Sequence, residues 1–324
     1  TAAAQAGNFD PGGILLRGTA SATPVIPLLA DLRAALPPDV ADHVHLGATS
    51  QDIVDSALCL VARRASDTIL ADLRSVVDRL AQLAQEHAHT VQMGRTLLQQ
   101  AEPTTFGLVC AGWLQAVDEA VTGLRQVAWR RLAVQLGGPV GTLAGYGERG
   151  PEIVGLLADE LRLAEPTLPW HTNRNRVAEL AGALGIVSGT LAGIAQDVAL
   201  LSQTEVGELA EGSPGGSSAM PHKRNPAASV LVVAAAHRVP GLVATVLAGM
   251  AQEYQRAAGR WQAEWATVTE LLRLTGGAAA HTAQLLAELQ VYPDRMRANC
   301  GEAEPAPGVD WLVRRVLQAH EDAR

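Results

Sequence analysis

Between residues 177 and 201 apolar side chains recur as Val177, Leu180, Leu184, Val187, Leu191, Ile194, Val198 and Leu201, at alternating steps of three and four. That pattern winds a single seam along a helix and commits the helix to lying against others. A chain with such a seam near its centre is constrained to fold around long packed helices. Composition points the same way, with 48% hydrophobic residues but only 3% aromatic ones. A core so poor in rings must be filled by Ala, Leu and Val, which suits closely approaching helices better than a sandwich or barrel. The spacing predicts long helices over 53–89, 106–136, 227–250 and 263–290, the third kinked at Pro240, and a short helix over 152–163. No stretch alternates cleanly enough to read as a strand. The expected fold is therefore all-α, a long-helix bundle. Its 324 residues are read as an N-terminal helical region 1–52, a central bundle 53–275 and a C-terminal helical region 276–324.

Polar loops punctuate these helices. The first, His43 to Asp52, carries His45, Gly47, Thr49 and Ser50, and places Asp52 to cap the helix beginning at Ile53. The second, Gln92 to Thr105, holds Gly94-Arg95-Thr96 and Pro103-Thr104-Thr105. Gly137-Gly138-Pro139-Val140-Gly141-Thr142 is a third break. The richest is Gly215-Gly216-Ser217-Ser218-Ala219-Met220-Pro221-His222-Lys223-Arg224-Asn225-Pro226. Adjacent glycines let backbone approach a ligand closely, and hydroxyls, an ammonium and an amide follow. That set suits a substrate with carboxylates and a carbanion-like transition state. Composition alone also fits a plain inter-helix connector.

The formal net charge is −8 with no long basic run, so neither nucleic acid nor an anionic membrane surface is an expected partner. An anionic substrate would need a local cluster of cations. Cys59, Cys110 and Cys300 are odd in number and widely spaced, as reduced thiols in a cytoplasm would be. No zinc-like Cys/His spacing occurs, and neither a metal nor a cofactor is expected. The N-terminus lacks a basic-then-apolar signal pattern, and no purely apolar run reaches about 18 residues.

Gly-Ser-Ser-x-Met-Pro-x-Lys-x-Asn-Pro at 216–226 resembles the signature loop of the fumarase/aspartase superfamily at every fixed position. His-x-Gly-x-Thr-Ser-x-Asp at 45–52 resembles its first region. Gly-Arg-Thr at 94–96 with Pro-Thr-Thr-Phe-Gly at 103–107 resembles its second. The likeness runs from about residue 20 to about 299. It implies a homotetramer in which three subunits contribute to each active site around a central helix bundle. It also implies addition to, or elimination from, a carbon α to a carboxylate. On this resemblance Ser217 is the catalytic serine, Lys223 and Asn225 stabilise carboxylate and enolate charge, and Thr49, Ser50 and Thr96 bind substrate carboxylates. His45 is expected to handle a proton or hold substrate. Arg174 either meets a carboxylate or is a solvated helix start. His222 sits at a variable family position, and Trp261 and Trp265 are expected to pack.

Where many members of the superfamily read Gly-Arg-Thr-His, this chain has Leu97. An amine or hydroxide leaving group benefits from protonation, whereas a carboxylate does not, its conjugate acid having a pKa of about 4. The missing imidazole therefore fits lactonisation of a muconate, in which the leaving group is itself a carboxylate. The stretches Gln135–Leu143 and Trp261–Trp265, and the apolar 227–231 after the loop, resemble the branch that lactonises carboxymuconates. The implied substrate is a small tricarboxylate, 3-carboxy-cis,cis-muconate, of protocatechuate catabolism through β-ketoadipate. An adenylosuccinate- or argininosuccinate-type lyase and a non-catalytic bundle protein are the alternatives. Compared with the family, helix before the first region and a segment between Asn299–Pro307 and Asp310 are expected to be shortened.

Overall fold

The structure, a computed structural model, describes residues 4–323. In order the chain forms α1 (Pro11–Gly18), α2 (Val25–Ala34), α3 (Pro38–Ala41), α4 (Ser50–Glu86), β1 (Val91–Thr96), β2 (Gln99–Thr105), α5 (Phe106–Arg130), α6 (Gly150–Leu161), α7 (Asn175–Leu201), β3 (Leu209–Ala210), α8 (Ala227–Ala248), α9 (Arg260–Ala287), β4 (Gln290–Val291), α10 (Pro293–Cys300) and α11 (Val309–Asp322), with short 3-10 turns between some of them. The all-α long-helix reading holds. Residues 1–3 and 324 of the expected first and third regions lie outside the described residues.

The chain divides into two compact units. One comprises Thr1–Arg64, Val127–Ala178 and Thr245–Thr267, the other Ala65–Gln126, Glu179–Ala244 and Val268–Arg324. The second unit is built on the heptad seam from Leu180 onward. From Val177 to Val198 every seam residue is at most 3% exposed. Leu73, Leu80 and Leu83 of α4 and Phe106, Leu114 and Leu124 of α5 are also buried there, as are Val268 and Leu271 of α9. Each such side chain contributes about 1.5–3 kcal/mol relative to exposure. Ser188 and Thr275 share a hydroxyl hydrogen bond of 2.9 Å that joins α7 to α9.

The first unit departs from the simple stripe read in the sequence. Along the start of α4, Ile53 is 38% and Val61 53% exposed, whereas Gln51, Asp52, Asp55 and Ser56 are buried. A polar face points inward, and each of its groups has a partner. Ser56 Oγ donates to Gln135 O at 3.0 Å and accepts from Gln135 N at 2.8 Å. Burying such a face is unfavourable unless it is hydrogen-bonded, and these partners meet that need.

The second polar loop is in fact a hairpin. β1 and β2 pair antiparallel from Val91↔Thr105 to Thr96↔Gln99, with an irregularity between Met93 and Arg95. A Cβ at Gly94 would lie 2.6 Å from Glu102 O, so only glycine fits there. Leu97 and Leu98 form the turn with φ of 51° and 64°, and are 97% and 73% exposed. Two-residue hairpin turns with positive φ favour Asn-Gly, so Leu-Leu gave no turn signal. The left-handed conformation costs a residue with a Cβ about 1–2 kcal/mol. Leu98→Gly is therefore expected to raise stability by about 0.5–1 kcal/mol in urea unfolding, after allowing for the looser unfolded chain.

Candidate active site

The first region forms the start of α4. Thr49 is the N-cap, and Asp52, three residues on, accepts its N–H at 2.9 Å. Asp52 therefore closes the cap from inside the helix rather than being the cap itself. The same carboxylate, 1% exposed, accepts Gly137 N at 3.0 Å and Gly138 N at 2.9 Å, and meets His171 Nε2 at 2.7 Å. It thereby ties the 137–141 loop to the Thr49 turn. Gly138 has φ +71°, and a Cβ there would meet Gly47 O at 2.8 Å.

Beneath this turn Asp55 and Glu264 enclose Arg174. The guanidinium donates to Asp55 at 2.8 and 3.0 Å and to Glu264 at 3.1, 3.1 and 2.6 Å, with His171 O at 3.4 Å. All five of its N–H groups are engaged, and Arg174 is 1% exposed. Burial works against its charge, but Asp55 and Glu264 outweigh that and hold its pKa above the ordinary arginine value. Trp261 Nε1 adds a bond to Asp55 at 3.0 Å, and Gln252 Nε2 one to Glu264 at 3.0 Å. Arg174 is thus neither a solvated helix start nor a free receptor for substrate carboxylate, and its role is corrected to that of a buried tie. Trp261 packs edge-on against Trp265 as expected.

His45 stands at φ 65° on the approach to this turn, with its Nδ1 buried and, among the described residues, without a hydrogen-bond partner. It borders an apolar cleft that includes Ile14, Val25, Leu32 and Ile53. Burial, and then the charge of Arg33, hold its pKa below the ordinary 6.5. His87, just past α4, is held down by burial as well, and packs on Phe106. Such a histidine takes up a proton less readily folded than unfolded. Its contribution to stability is complete above about pH 6.5 and is lost as pH falls below that value. The thermal midpoint is expected to drop between pH 7.5 and 5.5, and more steeply in the native chain than in His87→Gln.

The second and third regions belong to the other unit. Arg95 is anchored by Glu208, whose side chain is wholly buried and accepts Arg95 at 2.6 and 3.1 Å, Gln92 at 2.8 Å and Asn299 at 2.7 Å. Those bonds draw Glu208 below the usual carboxylate range against the effect of burial. They also fix the strand that ends in Thr96, which is exposed.

The signature loop is a closed turn. Gly215 N donates to Asn225 O at 2.8 Å and Asn225 N to Gly215 O at 2.9 Å, sealing its neck, and Asn225 Nδ2 donates to Gly216 O at 2.9 Å. Beyond the neck, buried Glu211 accepts Ala228 N at 3.1 Å, and Ser229 N and Oγ both at 2.8 Å, capping α8. Within the loop Ser217 Oγ accepts Met220 N at 3.0 Å and Ala219 N at 3.3 Å. Two amides aimed at one hydroxyl favour negative charge on it. Lys223 is exposed and, among the described residues, its ammonium has no partner. His45, Thr49 and Ser50 thus lie in one unit, and Thr96, Ser217, Lys223 and Asn225 in the other. Among the described residues no three His, Cys, Asp or Glu side chains are grouped as metal ligands.

Asp55, His171, Glu208 and Glu211 escaped the sequence reading, as did Arg256, which donates to Thr49 Oγ1 and Gln51 Oε1 at 2.7 Å each, and Asp52 reads in the sequence only as a helix cap. The one available signal was the polar run Gln51, Asp52, Asp55, Ser56, which repeats on a single helical face.

Long packed helices carry these loops, one of which holds a serine, a lysine and an asparagine. The chain belongs to the family described as Lyase, whose profile matches residues 17–241. It is 46% identical over 284 residues to the 3-carboxy-cis,cis-muconate cycloisomerase of Pseudomonas aeruginosa, covering 87% of this chain and 62% of that protein. To the nitrosuccinate lyase of Streptomyces davaonensis it is 44% identical over 293 residues, covering 86% and 62%. The crystal structure of 3-carboxy-cis,cis-muconate lactonizing enzyme from Pseudomonas putida matches with a TM-score of 0.87 at 40% identity, over 92% of this chain and 68% of that one. The chain therefore spans 62% of the length of either curated relative named here.

Proposed function

We propose that the protein is a cycloisomerase that closes 3-carboxy-cis,cis-muconate to 4-carboxymuconolactone, a step of protocatechuate catabolism through β-ketoadipate. The observation that carries this reading is Ser217 Oγ under two amide donors, on a hairpin-and-loop framework that has Leu97 in place of an imidazole. In the lactonising direction one carboxylate oxygen of the substrate bonds to the far carbon of a double bond. The electron pair moves toward the carbon α to another carboxylate, giving an aci-carboxylate. Ser217 delivers its proton to that carbon and is left as an alkoxide held by the Ala219 and Met220 amides, until solvent reprotonates it. Lys223 and the second N–H of the Asn225 amide stabilise the aci-carboxylate. Thr49, Ser50 and Thr96 hold the remaining carboxylates, and His45 stays neutral beside them. The leaving group of the reverse reaction is a carboxylate, so no imidazole is needed to protonate it.

The complete site is assembled from neighbouring copies in a homotetramer. In support, α8 is apolar enough to cross a membrane by length and composition, yet only 17% of its apolar stretch is buried, with Val230, Leu231 and Leu247 exposed. A second copy of the chain covers that surface more economically than lipid would, because the helix carries His237 and Arg238 at its middle. Three free, buried cysteines accord with the reducing cytoplasm.

Nitrosuccinate elimination is a second reading that the same leucine favours, because nitrite also departs as a weak base. The test follows muconate absorbance, nitrite release from nitrosuccinate and fumarate release from adenylosuccinate or argininosuccinate on one purified sample. Muconate loss as the dominant activity is expected. Fumarate release from either succinate conjugate, without muconate loss, contradicts the reading.

A further inference from the structure

With Arg174 occupied, Arg256 is a half-buried cation beside the first region that, among the described residues, has no hydrogen-bonded carboxylate partner. We propose that Arg256 is the receptor for a substrate carboxylate at the Thr49–Ser50 turn, and that it sets the preference for a polycarboxylate ligand. The inference rests on the reading above that the ligand is a polycarboxylate. Arg256 lies in the segment between α8 and α9, far in sequence from any of the motif loops. Its Nη1 donates to Thr49 Oγ1 and its Nε to Gln51 Oε1, both at 2.7 Å. Gln51 is itself pinned by bonds to Asp55 at 3.1 Å and to His171 O at 2.8 Å. The guanidinium is thus held by two neutral acceptors, lies over the Trp261 ring at 5.8 Å and, among the described residues, is hydrogen-bonded to no carboxylate. Of its five N–H groups, the two on Nη2 and one on Nη1 remain to be filled.

The contrast with Arg174 is instructive. Arg174 has two carboxylates around it and no spare donor, as structural arginines do. Arg256 is half-buried, its pKa is lowered by that burial despite the more distant Asp52 and Asp55, and it has spare donors. A partly desolvated guanidinium with a free edge is a site built to accept a carboxylate through two parallel bonds. Thr49 Oγ1 accepts from Arg256, which leaves its own hydroxyl hydrogen free to donate. The Ser50 hydroxyl is unpartnered among the described residues. One carboxylate placed at this turn could therefore receive the fork of Arg256 and a hydroxyl from Thr49 or Ser50. The Thr49 side chain, in this account, is oriented by the same residue that binds the ligand.

The test uses the whole chain and a non-reacting probe, propane-1,2,3-tricarboxylate, measured by titration calorimetry beside turnover of 3-carboxy-cis,cis-muconate. Arg256→Gln is expected to raise the dissociation constant and KM by about 10- to 100-fold, with kcat and the thermal midpoint much less affected. Arg256→Lys keeps the charge but loses the fork, and is expected to fall between the two. Should Arg256→Gln fail to fold, the lysine variant carries the test, with a loss of about fivefold or more expected. Binding by a folded variant within about twofold of the native chain, while the native chain binds and turns over normally, would overturn the assignment of Arg256 and leave the cycloisomerase reading intact. A native chain that neither binds the tricarboxylate nor consumes the muconate would remove both.

Discussion

Ser217→Ala is expected to lower kcat for 3-carboxy-cis,cis-muconate by about 10²- to 10⁴-fold while leaving KM within about threefold. The split follows from the geometry. Substrate carboxylates are assigned to Thr49, Ser50, Thr96 and Arg256, so ground-state binding does not need the serine. Proton delivery does, and no other hydroxyl of the loop has two amides directed at its oxygen. Removing Oγ also leaves those amides without an acceptor. The neck of the loop is held independently by the Gly215–Asn225 pair and by Glu211 at the head of α8, so the loop is expected to keep its place. Stopped-flow absorbance at saturating substrate reads the effect, and an unchanged thermal midpoint separates lost chemistry from lost structure. A drop confined to KM would assign Ser217 to binding instead.

The second large effect is on stability. Arg174→Met is expected to destabilise the chain by about 3–5 kcal/mol at pH 7, because it strands two buried carboxylates. The Asp55 side chain is 0% and the Glu264 side chain 2% exposed, and each is paired with Arg174. Without the guanidinium they face one another in a buried site, and the neutral donors left to them, Gln51 and Trp261 for Asp55 and Gln252 for Glu264, cannot compensate two charges. The loss is expected to shrink as pH falls toward 5. Burial already pushes the Glu264 carboxyl up, and the variant would relieve its repulsion by taking up a proton. Replacing Arg174, Asp55 and Glu264 together by apolar residues of similar size is expected to be less damaging than Arg174→Met alone. Urea unfolding at pH 7 and pH 5 measures both comparisons. Equal destabilisation at the two pH values would mean that packing, not stranded charge, dominates.

How far the sequence could be read depended on whether a feature was local. The α7 seam was legible because its period is written in consecutive turns, and its burial from Val177 to Val198 follows it. The 215–226 segment was legible as a loop because its glycines, serines and prolines are contiguous, and the Gly215–Asn225 pair closes it. The start of α4 was not. Its apolar residues Ile53 and Val61 point outward, because the inward face is given to Gln51, Asp52, Asp55 and Ser56, whose partners are Gln135, His171, Arg174 and Arg256. Those partners lie some 80 to 205 residues away, from |i−j| of 79 to 205, so no window of sequence could pair them. For the same reason Arg174 looked available and Arg256 went unnoticed. The hairpin was missed for a different reason. Its turn is Leu97-Leu98 and its second strand contains Pro103, neither of which signals a strand pair.

A proton-transfer lactonisation leaves an isotopic record, and that record tests the account most directly. The purified chain is incubated with 3-carboxy-cis,cis-muconate in D₂O and the product followed by proton NMR. The expected product is 4-carboxymuconolactone carrying one deuterium on the carbon α to a carboxylate, formed by the native chain and almost absent with Ser217→Ala. Unreacted muconate in the native sample, or a lactone formed equally fast by the alanine variant, would contradict it.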